Sequence, residues 1–282
     1  MTDSWPGPGA LDTGTGDLLA AVDNGVATIV LNRPARRNAL SDEMLAALAR
    51  VLGRLDGDDD VAALVITGSG PAFCAGGDVK EFAERGGEGG TATVADPAGI
   101  AEQQRIQRAT VGALHAFARP VIAALPGAVA GAGVGFALAA DLRIGTPSTV
   151  ITTAFTKVGL SGDYGTAWLL RDLVGPARAA ELMFLSELVD AEAALRLGLL
   201  NWVVAPDELQ PRAAALAARL AAGPRQALAG MKHNLLLAGP AGLGEAMDAE
   251  VVLHKECGVT DDHREGLAAF TEKREPRFGS AI

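Results

Sequence analysis

Two apolar strands that each run into a glycine-rich turn most strongly constrain how this chain can fold. Residues 61–67 read VAALVIT, an apolar β-branched run of strand length, and FCAGGDVK follows at residues 73–80. The adjacent glycines Gly76 and Gly77 indicate a backbone that turns through positive φ or comes very close to another group. An ordinary turn from a strand into a helix is the alternative interpretation of the same residues.

A second glycine-rich stretch repeats this arrangement further along the chain. Residues 121–125 form another apolar run, and GAVAGAGVG follows at residues 127–135 and opens a helix. Two such turns could direct two backbone N–H groups at one oxygen atom. A dinucleotide-binding turn also places glycines after a strand, but its motif needs glycine at position 136, where the chain has Phe136. This difference disfavours the dinucleotide-binding alternative.

The order of the remaining elements predicts an α/β fold. A hairpin is expected around the turn Asp23-Asn24-Gly25, and Ser41 is a suitable N-cap for an amphipathic helix that precedes strand 61–67. Such a strand–helix–strand crossover predicts parallel strands. Strand, glycine turn and helix then recur at irregular spacing, which indicates a spiral of β-β-α units. From residue 206 onward the pattern is helical, as expected of a cap or an oligomerisation region.

These patterns divide the chain into three predicted parts. Residues 1–17 are rich in Gly, Pro, Thr and Asp and are predicted to form a disordered N-terminal tail. Residues 18–205 form the predicted spiral core, and residues 206–282 form the predicted C-terminal helical region. Within the core, residues 85–99 lack a periodic apolar face, so we expect either a mobile lid or a disordered loop before a helix over residues 100–118.

The composition disfavours several classes of function. The 282 residues are 49% hydrophobic and carry a formal net charge of −10, so a general role in binding nucleic acid or an anionic membrane is disfavoured. Two cysteines, Cys74 and Cys257, give neither a disulfide framework nor a zinc-binding spacing, which favours a cytoplasmic location. No apolar run reaches the roughly 18–20 residues that span a bilayer. The histidines show no paired spacing, so no metal site is expected.

Several motifs together resemble the crotonase (enoyl-CoA hydratase/isomerase) superfamily over about residues 18–279. The motifs are LNRP at 31–34, NAL at 38–40, AFCAGGD at 72–78, PVIAA at 120–124, the glycine-rich run 127–141, residues 191–198 and residues 262–278. The resemblance implies a spiral of β-β-α turns with a C-terminal helical trimerisation region, and hence a homotrimer or a dimer of trimers. It also implies acyl-CoA thioester substrates, with coenzyme A entering as part of the substrate and with no separate cofactor.

The resemblance further implies an oxyanion hole formed by the backbone N–H groups of Gly77 and Ala132. Reactions in this family pass through a thioester enolate or a related anion, and preorganised donors stabilise the charge that develops on its oxygen. Main-chain N–H groups supply such donors, and glycine and alanine leave room for the thioester. The substrate- and CoA-binding positions that the resemblance implies are Arg37, Ala39, Leu40, Ala75, Gly76, Asp78, Val79, Lys80, Phe136, Phe155, Phe270 and Lys273.

Four other polar residues receive more limited assignments. Lys273 and Arg274 are expected to hold the CoA phosphate of a neighbouring subunit, as the resemblance suggests for the lysine, and a solvated helix end is the alternative. Cys74 is expected to be a packing thiol, because the family uses backbone groups in that turn. Asp141 is expected to hydrogen-bond buried backbone rather than to catalyse.

The acid and base residues separate the reactions of this superfamily. Hydration needs two carboxylates, which are glutamates in the resembling hydratases, but the matching positions here hold Gly135 and Phe155. Asp163, within GLSGDYG, stands where the resembling enoyl-CoA isomerases carry an acid, including the ring-opening isomerase of phenylacetate breakdown. One carboxylate is enough for a 1,3-proton shift. N-capping of the following helix is the alternative role of Asp163.

An enoyl-CoA isomerase that moves a double bond or opens a strained ring is therefore the predicted function. Phe136 and Phe155 are expected to be apolar walls that dry the site and raise the pKa of Asp163. Hydratase, hydrolase or decarboxylase activity that uses another residue is the first alternative. A non-catalytic acyl-CoA-binding relative is the second, and the acidic composition argues against an RNA-binding one.

Overall fold

Two mixed β-sheets with helices packed around them form the described part of the protein, a computed structural model of residues 9–87, 90, 92–239 and 241–279. The strands are β1 (Ala10–Leu11), β2 (Leu18–Asp23), β3 (Val26–Leu31), β4 (Ala63–Gly68), β5 (Ala72–Cys74), β6 (Val121–Leu125), β7 (Ala128–Ala130), β8 (Leu142–Gly145), β9 (Val150–Thr152), β10 (Val189–Asp190) and β11 (Trp202–Val203). The helices are α1 (Asp42–Asp56), α2 (Val79–Glu84), α3 (Pro97–Gln107), α4 (Ala113–His115), α5 (Ala132–Leu138), α6 (Thr166–Leu185), α7 (Ala191–Arg196), α8 (Leu209–Ala221), α9 (Arg225–Ala238), α10 (Leu243–Cys257) and α11 (Asp261–Glu272). This architecture confirms the predicted α/β fold class.

The larger sheet begins with the predicted hairpin. β2 and β3 are antiparallel, and the pairing of Asp23 with Val26 leaves Asn24 and Gly25 as a two-residue turn. Both turn residues have positive φ, as a type I′ hairpin turn requires. The strand order is β1-β2-β3-β4-β6-β8-β11, and β3, β4, β6, β8 and β11 run parallel, as the crossover pattern predicted.

Helix α1 forms where its sequence signals predicted a helix. Ser41 is the N-cap, and its hydroxyl oxygen accepts the N–H of Met44 at 3.1 Å. Asp42 and Glu43 lie in the first turn, where the helix dipole favours acidic side chains. The apolar face of the helix is buried together with residues of β2, β3 and β4 in the main core, and its buried side chains are Met44, Ala47, Leu48, Val51, Leu52 and Leu55.

Helix α8 covers the opposite face of the larger sheet. Ala213 and Ala217 are fully buried in a second core with Val65 and Ile122 of the parallel strands. Ile66 points to the other side and belongs to the main core, so the central strands are buried on both faces, as is usual for parallel sheets. Because α8 lies beyond residue 205, the predicted boundary of the core is corrected: the core includes α8.

The smaller sheet brings together the ends of three parallel strands. Its order is β10-β9-β7-β5, and β5, β7 and β9 run parallel to one another. β5 leads into residues 75–78, β7 leads into Gly131 at the start of α5, and β9 leads into residues 153–155. Since the carboxyl ends of parallel strands meet at one edge of a sheet, these three segments lie side by side.

The helix after the predicted loop begins earlier than expected. α3 starts at Pro97 with Asp96 as its N-cap, so helical structure begins before residue 100. The helix continues through a π-helical turn, Arg108–Gly112, and ends with α4 rather than at residue 118. The predicted loop over residues 85–99 is therefore shorter, and its positions 88, 89 and 91 lie outside the described residues.

Residues 9–17 belong to the fold, which corrects the prediction of a disordered tail. β1 pairs antiparallel with β2. The buried hydroxyl of Thr13 donates to the carbonyl of Leu18 at 2.8 Å, and Asp17 forms an ion pair with Arg33 at 3.4 Å. These contacts with later parts of the chain order a segment whose local composition favours disorder. Residues 1–8 of the predicted tail lie outside the described residues.

An ion pair between the buried Lys232 and the more exposed Asp141 ties α9 to the core. The ammonium of Lys232 donates to Asp141 Oδ2 at 2.8 Å and to the carbonyl of Arg119 at 3.2 Å. The same Asp141 oxygen accepts the N–H of Val121 at 2.7 Å, which confirms the hydrogen bond to backbone expected for this residue. Burial lowers the pKa of the Lys232 ammonium, and the attraction of Asp141 opposes that shift.

The C-terminal helices leave many apolar side chains exposed. Helices α8 to α11 confirm the helical pattern predicted from residue 206 onward. The large apolar side chains exposed in this region are Met231, Leu235, Leu243, Met247, Val251, Val252, Val259, Leu267 and Phe270. Across the described residues, we find no helix with both the length and the apolar character needed to span a bilayer.

Asn38 links the segment after β3 to the turn before β5. Its side-chain amide donates to the carbonyls of Ser69 at 2.9 Å and Ala72 at 2.8 Å. Its carbonyl oxygen accepts the N–H of Arg33 at 2.9 Å. The side chain is fully buried, so these bonds satisfy polar groups that water does not reach.

We expect Asn38→Ala to lower the free energy of unfolding by about 3 kcal/mol, because three backbone groups lose their partner at roughly 1 kcal/mol each. Chemical denaturation measures the change. Ser69→Ala is the control, since the Ser69 hydroxyl lies 3.4 Å from Asn38 Oδ1 and its loss should cost less than about 1 kcal/mol. Equal effects of the two substitutions would contradict this account of Asn38.

Candidate active site

The two glycine-rich turns predicted to form one site are in direct contact. Gly76 has a φ of +83°, which favours glycine. A Cβ atom built at Gly76 would lie 2.8 Å from the carbonyl oxygen of Ala130 and 3.1 Å from the backbone nitrogen of Ala132. Only a residue without a side chain allows the turn after β5 to approach the turn after β7 so closely.

The backbone pairing at Leu40 fixes the direction of the Gly77 N–H group. The N–H of Leu40 donates to the carbonyl of Gly76 at 2.8 Å, and Leu40 and Gly77 form a parallel β-bridge. In a parallel bridge, one of the two residues bonds across the pair, here Leu40, and the other directs its own N–H and C=O away from the neighbouring segment. The N–H of Gly77 therefore points away from residues 37–40.

The second predicted donor lies at the start of α5. Ala132 is the first residue of this helix and only 3% exposed. The N–H groups of a first helical turn have no acceptor within the helix. Gly131 precedes Ala132, with a φ of +51° and an N–H that donates to the carbonyl of Thr152 at 3.1 Å. The predicted donors Gly77 and Ala132 thus belong to adjoining turns.

Asp163 lies in a loop with several left-handed residues. The residues with positive φ in this loop are Gly159, Gly162, Tyr164 and Gly165. The backbone carbonyl of Asp163 accepts the N–H of Thr166 at 3.0 Å, and the carboxylate side chain is half-buried. The N-cap of α6 is Gly165, so the cap position predicted as an alternative for Asp163 belongs to another residue.

The negative charge of Asp163 acts on the thiol of Cys74, in the strand that leads into the first glycine turn. Burial raises the pKa of Cys74 to about 12, a hydrogen bond from the N–H of Gly76 opposes the shift, and the negative charge of Asp163 adds to it. Cys74 is the last residue of β5, two residues before Gly76. The charge of Asp163 therefore acts on a residue close to the turn that carries Gly77, and Cys74 is a buried neutral thiol, consistent with its expected packing role.

Gly135 is where the Asp163 loop rests on α5. A Cβ atom built at Gly135 would lie 2.3 Å from the carbonyl oxygen of Tyr164 and 3.0 Å from its Cβ. A side chain at position 135 therefore requires the loop to move. The Asp163 loop packs where a side chain at position 135 would lie. The same packing therefore places Asp163 and leaves no room for a carboxylate at position 135.

The two phenylalanines predicted as walls of the site differ in their surroundings. Phe136 is fully buried, and its ring centroid lies 5.3 Å from that of Tyr164. A ring without exposed surface does not face a substrate, so the predicted wall is corrected: Phe136 supports the Asp163 loop from the core. Phe155 is buried beside Gly162, where a built Cβ atom would lie 3.9 Å from its ring.

The side chain of Asp78, which was predicted to lie in the substrate-binding region, has a structural role. Its buried carboxylate forms ion pairs with Arg33 at 3.4 Å and with Arg36 at 3.8 Å, and it accepts the N–H of Glu81 as the N-cap of α2. The next residues along the chain, Val79 and Lys80, are exposed on α2.

The remaining predicted binding residues fall into two groups. Arg37 is exposed, and its backbone carbonyl accepts the N–H of Ala75 at 3.0 Å, while Ala39 and Leu40 are buried beside the same turn. Phe270 and Lys273, by contrast, lie in the C-terminal helical region, where Phe270 is 86% exposed and Lys273 is the exposed C-cap of α11. In this single chain they are separate from the segments at the strand ends.

Arg274, predicted together with Lys273 to hold a CoA phosphate, is engaged in ion pairs within its own chain. Its guanidinium binds Glu265 at 2.6 Å and Glu272 at 2.6 Å. The Glu265 hydrogen bond with Arg274, helped by the N–H of Arg277, lowers the pKa of Glu265 to about 2. Among the described residues, no group of three His, Cys, Asp or Glu side chains is arranged to hold a metal ion.

Gln107 contacts the Asp163 loop and was not singled out from the sequence. Its side-chain oxygen accepts the N–H of Tyr164 at 3.0 Å. Gln107 is the last residue of α3, and the helix that contains it has polar residues on most sides. No local pattern distinguishes it from its neighbours, so only the long-range contact reveals it.

The sequence profile of the enoyl-CoA hydratase/isomerase family matches residues 21–281. The chain belongs to the enoyl-CoA hydratase/isomerase family. This confirms the crotonase resemblance, and the enzymes of the family act on acyl-CoA thioesters.

Some relatives of this enoyl-CoA hydratase/isomerase family member are named as isomerases and others as hydratases. The 1,2-epoxyphenylacetyl-CoA isomerase of Escherichia coli (strain K12) is 36% identical over 266 residues, which cover 93% of this chain and 97% of that protein. The crystal structure of an enoyl-CoA hydratase from Mycobacterium smegmatis gives a TM-score of 0.85 at 31% identity, over 94% of this chain and 100% of that one. An enoyl-CoA hydratase from Polaromonas sp. JS666 gives a TM-score of 0.84 at 30% identity, over 92% and 98%.

The raised pKa of Cys74 predicts an unreactive thiol. Below about pH 10 the group stays protonated and buried, so iodoacetamide at pH 8 should leave Cys74 unmodified in the folded enzyme and modify it after denaturation. Peptide mass spectrometry measures both states. Cys257 is the internal comparison, because it is only half-buried and should react in the folded chain. Rapid modification of native Cys74 would contradict the burial described here.

The packing of Tyr164 on α5 predicts a large cost for a methyl group at position 135. We expect Gly135→Ala to lower the free energy of unfolding by about 1–3 kcal/mol, because the backbone of the Asp163 loop must shift. Gly53→Ala is a matched control, since Gly53 lies within α1 with nothing within 4 Å of a built Cβ atom. That substitution should stabilise the protein by up to about 1 kcal/mol. Thermal or chemical denaturation measures both changes in the free energy of unfolding. Changes of opposite sign support this packing, and changes of the same sign contradict it.

Proposed function

We propose that this family member is an enoyl-CoA isomerase that moves a double bond, or opens a strained ring, through a thioester enolate. The observation that carries the proposal is the placement of Asp163. Its charge acts on Cys74 beside the turn of Gly76 and Gly77, while the loop that bears it occupies the space of a side chain at Gly135. One carboxylate beside two backbone donors suits a proton shift within one substrate.

The proposed oxyanion hole consists of the N–H groups of Gly77 and Ala132. The thioester oxygen gains negative charge when a proton leaves the neighbouring carbon, and two fixed donors stabilise that charge. The contact of Gly76 with Ala130 and Ala132 supports the proposal, because it holds the two turns together before the substrate arrives. Loss of one such donor typically costs roughly a hundredfold or more in rate.

Asp163 is the proposed acid and base. In conversion of a 3-enoyl-CoA to a 2-enoyl-CoA, its carboxylate removes a proton from C2, and the electrons form a dienolate whose oxygen the two N–H groups hold. The carboxyl group then returns the proton to C4, and the double bond moves to C2–C3. The same group serves both steps, so no second carboxylate and no water are consumed. Phe155 beside Gly162 supports this role by limiting access of water to the loop.

Hydration is the second candidate, supported by the solved relatives named as hydratases. Addition of water needs one group that activates water and another that manages the proton. Gly135 and Phe155 stand at the positions of the two glutamates in the resembling hydratases, and neither transfers a proton. A hydratase would therefore depend on a different residue, as would hydrolase or decarboxylase activity. A non-catalytic acyl-CoA-binding protein is the third candidate.

Self-association through the C-terminal helices is part of the proposal. The apolar side chains exposed on α9, α10 and α11 suit contact with other copies of the chain, in a homotrimer or a dimer of trimers. Phe270 and Lys273 would then complete the acyl-CoA pocket of a neighbouring subunit. Coenzyme A enters as part of the substrate, and the proposed proton shift uses no separate cofactor.

Asp163→Asn tests the proposed mechanism. We expect turnover of 3-enoyl-CoA to 2-enoyl-CoA to fall by about 10²–10⁴-fold, because an amide does not accept the proton. The KM should change little, since the thioester and CoA contacts remain. Asp172→Asn is the matched control, because Asp172 is an exposed carboxylate on α6. Unchanged turnover by Asp163→Asn would remove Asp163 from the mechanism.

Water uptake separates the candidate functions. Wild-type protein supplied with 2-enoyl-CoA esters should show little hydration by loss of absorbance and by product analysis. Robust hydration would overturn the isomerase proposal. Tight binding of CoA esters without turnover of any of them would favour the binding protein.

A further inference from the structure

The Asp163 loop adopts a conformation that its own sequence does not favour. Tyr164, which follows Asp163, has a φ of +47°, and a bulky residue in the left-handed region is uncommon and strained. Such conformations persist where the surrounding structure enforces them, and they concentrate at functional sites. Gly162, which precedes Asp163, has a φ of +116°. The residue proposed as the acid is therefore flanked by two constrained positions.

The lower side of this loop rests on α5. The carbonyl oxygen of Tyr164 lies above Gly135, and the Tyr164 ring packs on Phe136. Gly135 and Ala132 are three residues apart on the same short helix. The proposed acid and one proposed donor are thus positioned by one element.

The other side of the loop is held by Gln107. Its side-chain oxygen accepts the N–H of the peptide that joins Asp163 to Tyr164, at 3.0 Å. Gln107 is half-buried, and α3 changes to the π-helical turn Arg108–Gly112 directly after it. Turns of this kind are often found at functional sites, where they change which residues face inward.

We infer that Gln107 is a positioning residue for Asp163, an inference that rests on the proposed role of Asp163 as acid and base. The N–H that Gln107 accepts lies in the plane of the Asp163–Tyr164 peptide, so the hydrogen bond sets the orientation of that plane. Fixing this peptide restricts rotation of the backbone at Asp163 and so limits how far the carboxylate can move. Gln107 touches neither substrate nor the reacting atoms in this mechanism. A carboxylate that serves two carbon atoms needs such fixing, because a displacement of about 1 Å can cost a hundredfold in rate.

Gln107→Met tests the inference, because methionine keeps the length of the side chain and removes the acceptor. We expect kcat for isomerisation of 3-enoyl-CoA to fall by about 10–100-fold while KM stays within about twofold. Hydrogen exchange of a peptide containing the Tyr164 N–H should quicken by about tenfold, the effect of losing one ordinary hydrogen bond. Gln107→Glu keeps an acceptor oxygen and should restore slow exchange and part of kcat. Gln104→Met is the matched control, since Gln104 is exposed on the same helix.

The outcomes separate this inference from the proposed function. A kcat of Gln107→Met equal to that of wild type, with Asp163→Asn inactive, overturns the positioning role and leaves the proposed function in place. Full turnover by Asp163→Asn overturns both. Gln107→Ala provides a second acceptor-free variant if Gln107→Met does not fold, and thermal unfolding identifies that case. An equal loss of kcat in Gln104→Met would also overturn the inference, because it would assign the effect to α3 as a whole.

Discussion

The contact between the turn at Gly76 and the turn at Ala132 is the constraint on which the candidate site depends. It joins the ends of two neighbouring parallel strands, β5 and β7, at a separation that admits no side chain at Gly76. Backbone N–H groups are short and rigid, so they can converge on one atom only when the chains that carry them are this close. The small sheet provides that closeness, because the carboxyl ends of its parallel strands lie at one edge.

The Asp163 loop extends the same principle to the proposed acid. Its contact with Gly135 places it on the helix that begins at Ala132, and Gln107 holds it from α3. The proposed donor Ala132 and the proposed acid Asp163 are thereby fixed relative to one another through α5. Glycine at position 135 therefore does more than leave this position without a carboxylate. It leaves the space in which the loop carries the carboxylate of Asp163 toward the turn at Gly76.

Buried polar groups hold the surrounding segments in place. Asn38 satisfies three backbone groups between β3 and β5, and Asp78 neutralises Arg33 and Arg36 beside the same turn. Lys232 and Asp141 join α9 to the core. Asn38, Asp78 and Lys232 would each cost free energy if buried alone, and their partners come from distant parts of the sequence. Their polar character alone therefore does not reveal whether they bind a substrate or support the fold.

The sequence by itself determined the α/β class, the hairpin at Asn24 and Gly25, helix α1 and the glycine turns. These features depend on local periodicity, capping and φ preferences, which neighbouring residues set. The family motifs also identified the candidate donors and Asp163. Tertiary structure alone decided that residues 9–17 are ordered, that α8 belongs to the core, that Phe136 is buried and that Gln107 contacts the Asp163 loop. Each of these depends on contacts between residues far apart in the chain, for which a local pattern carries no signal.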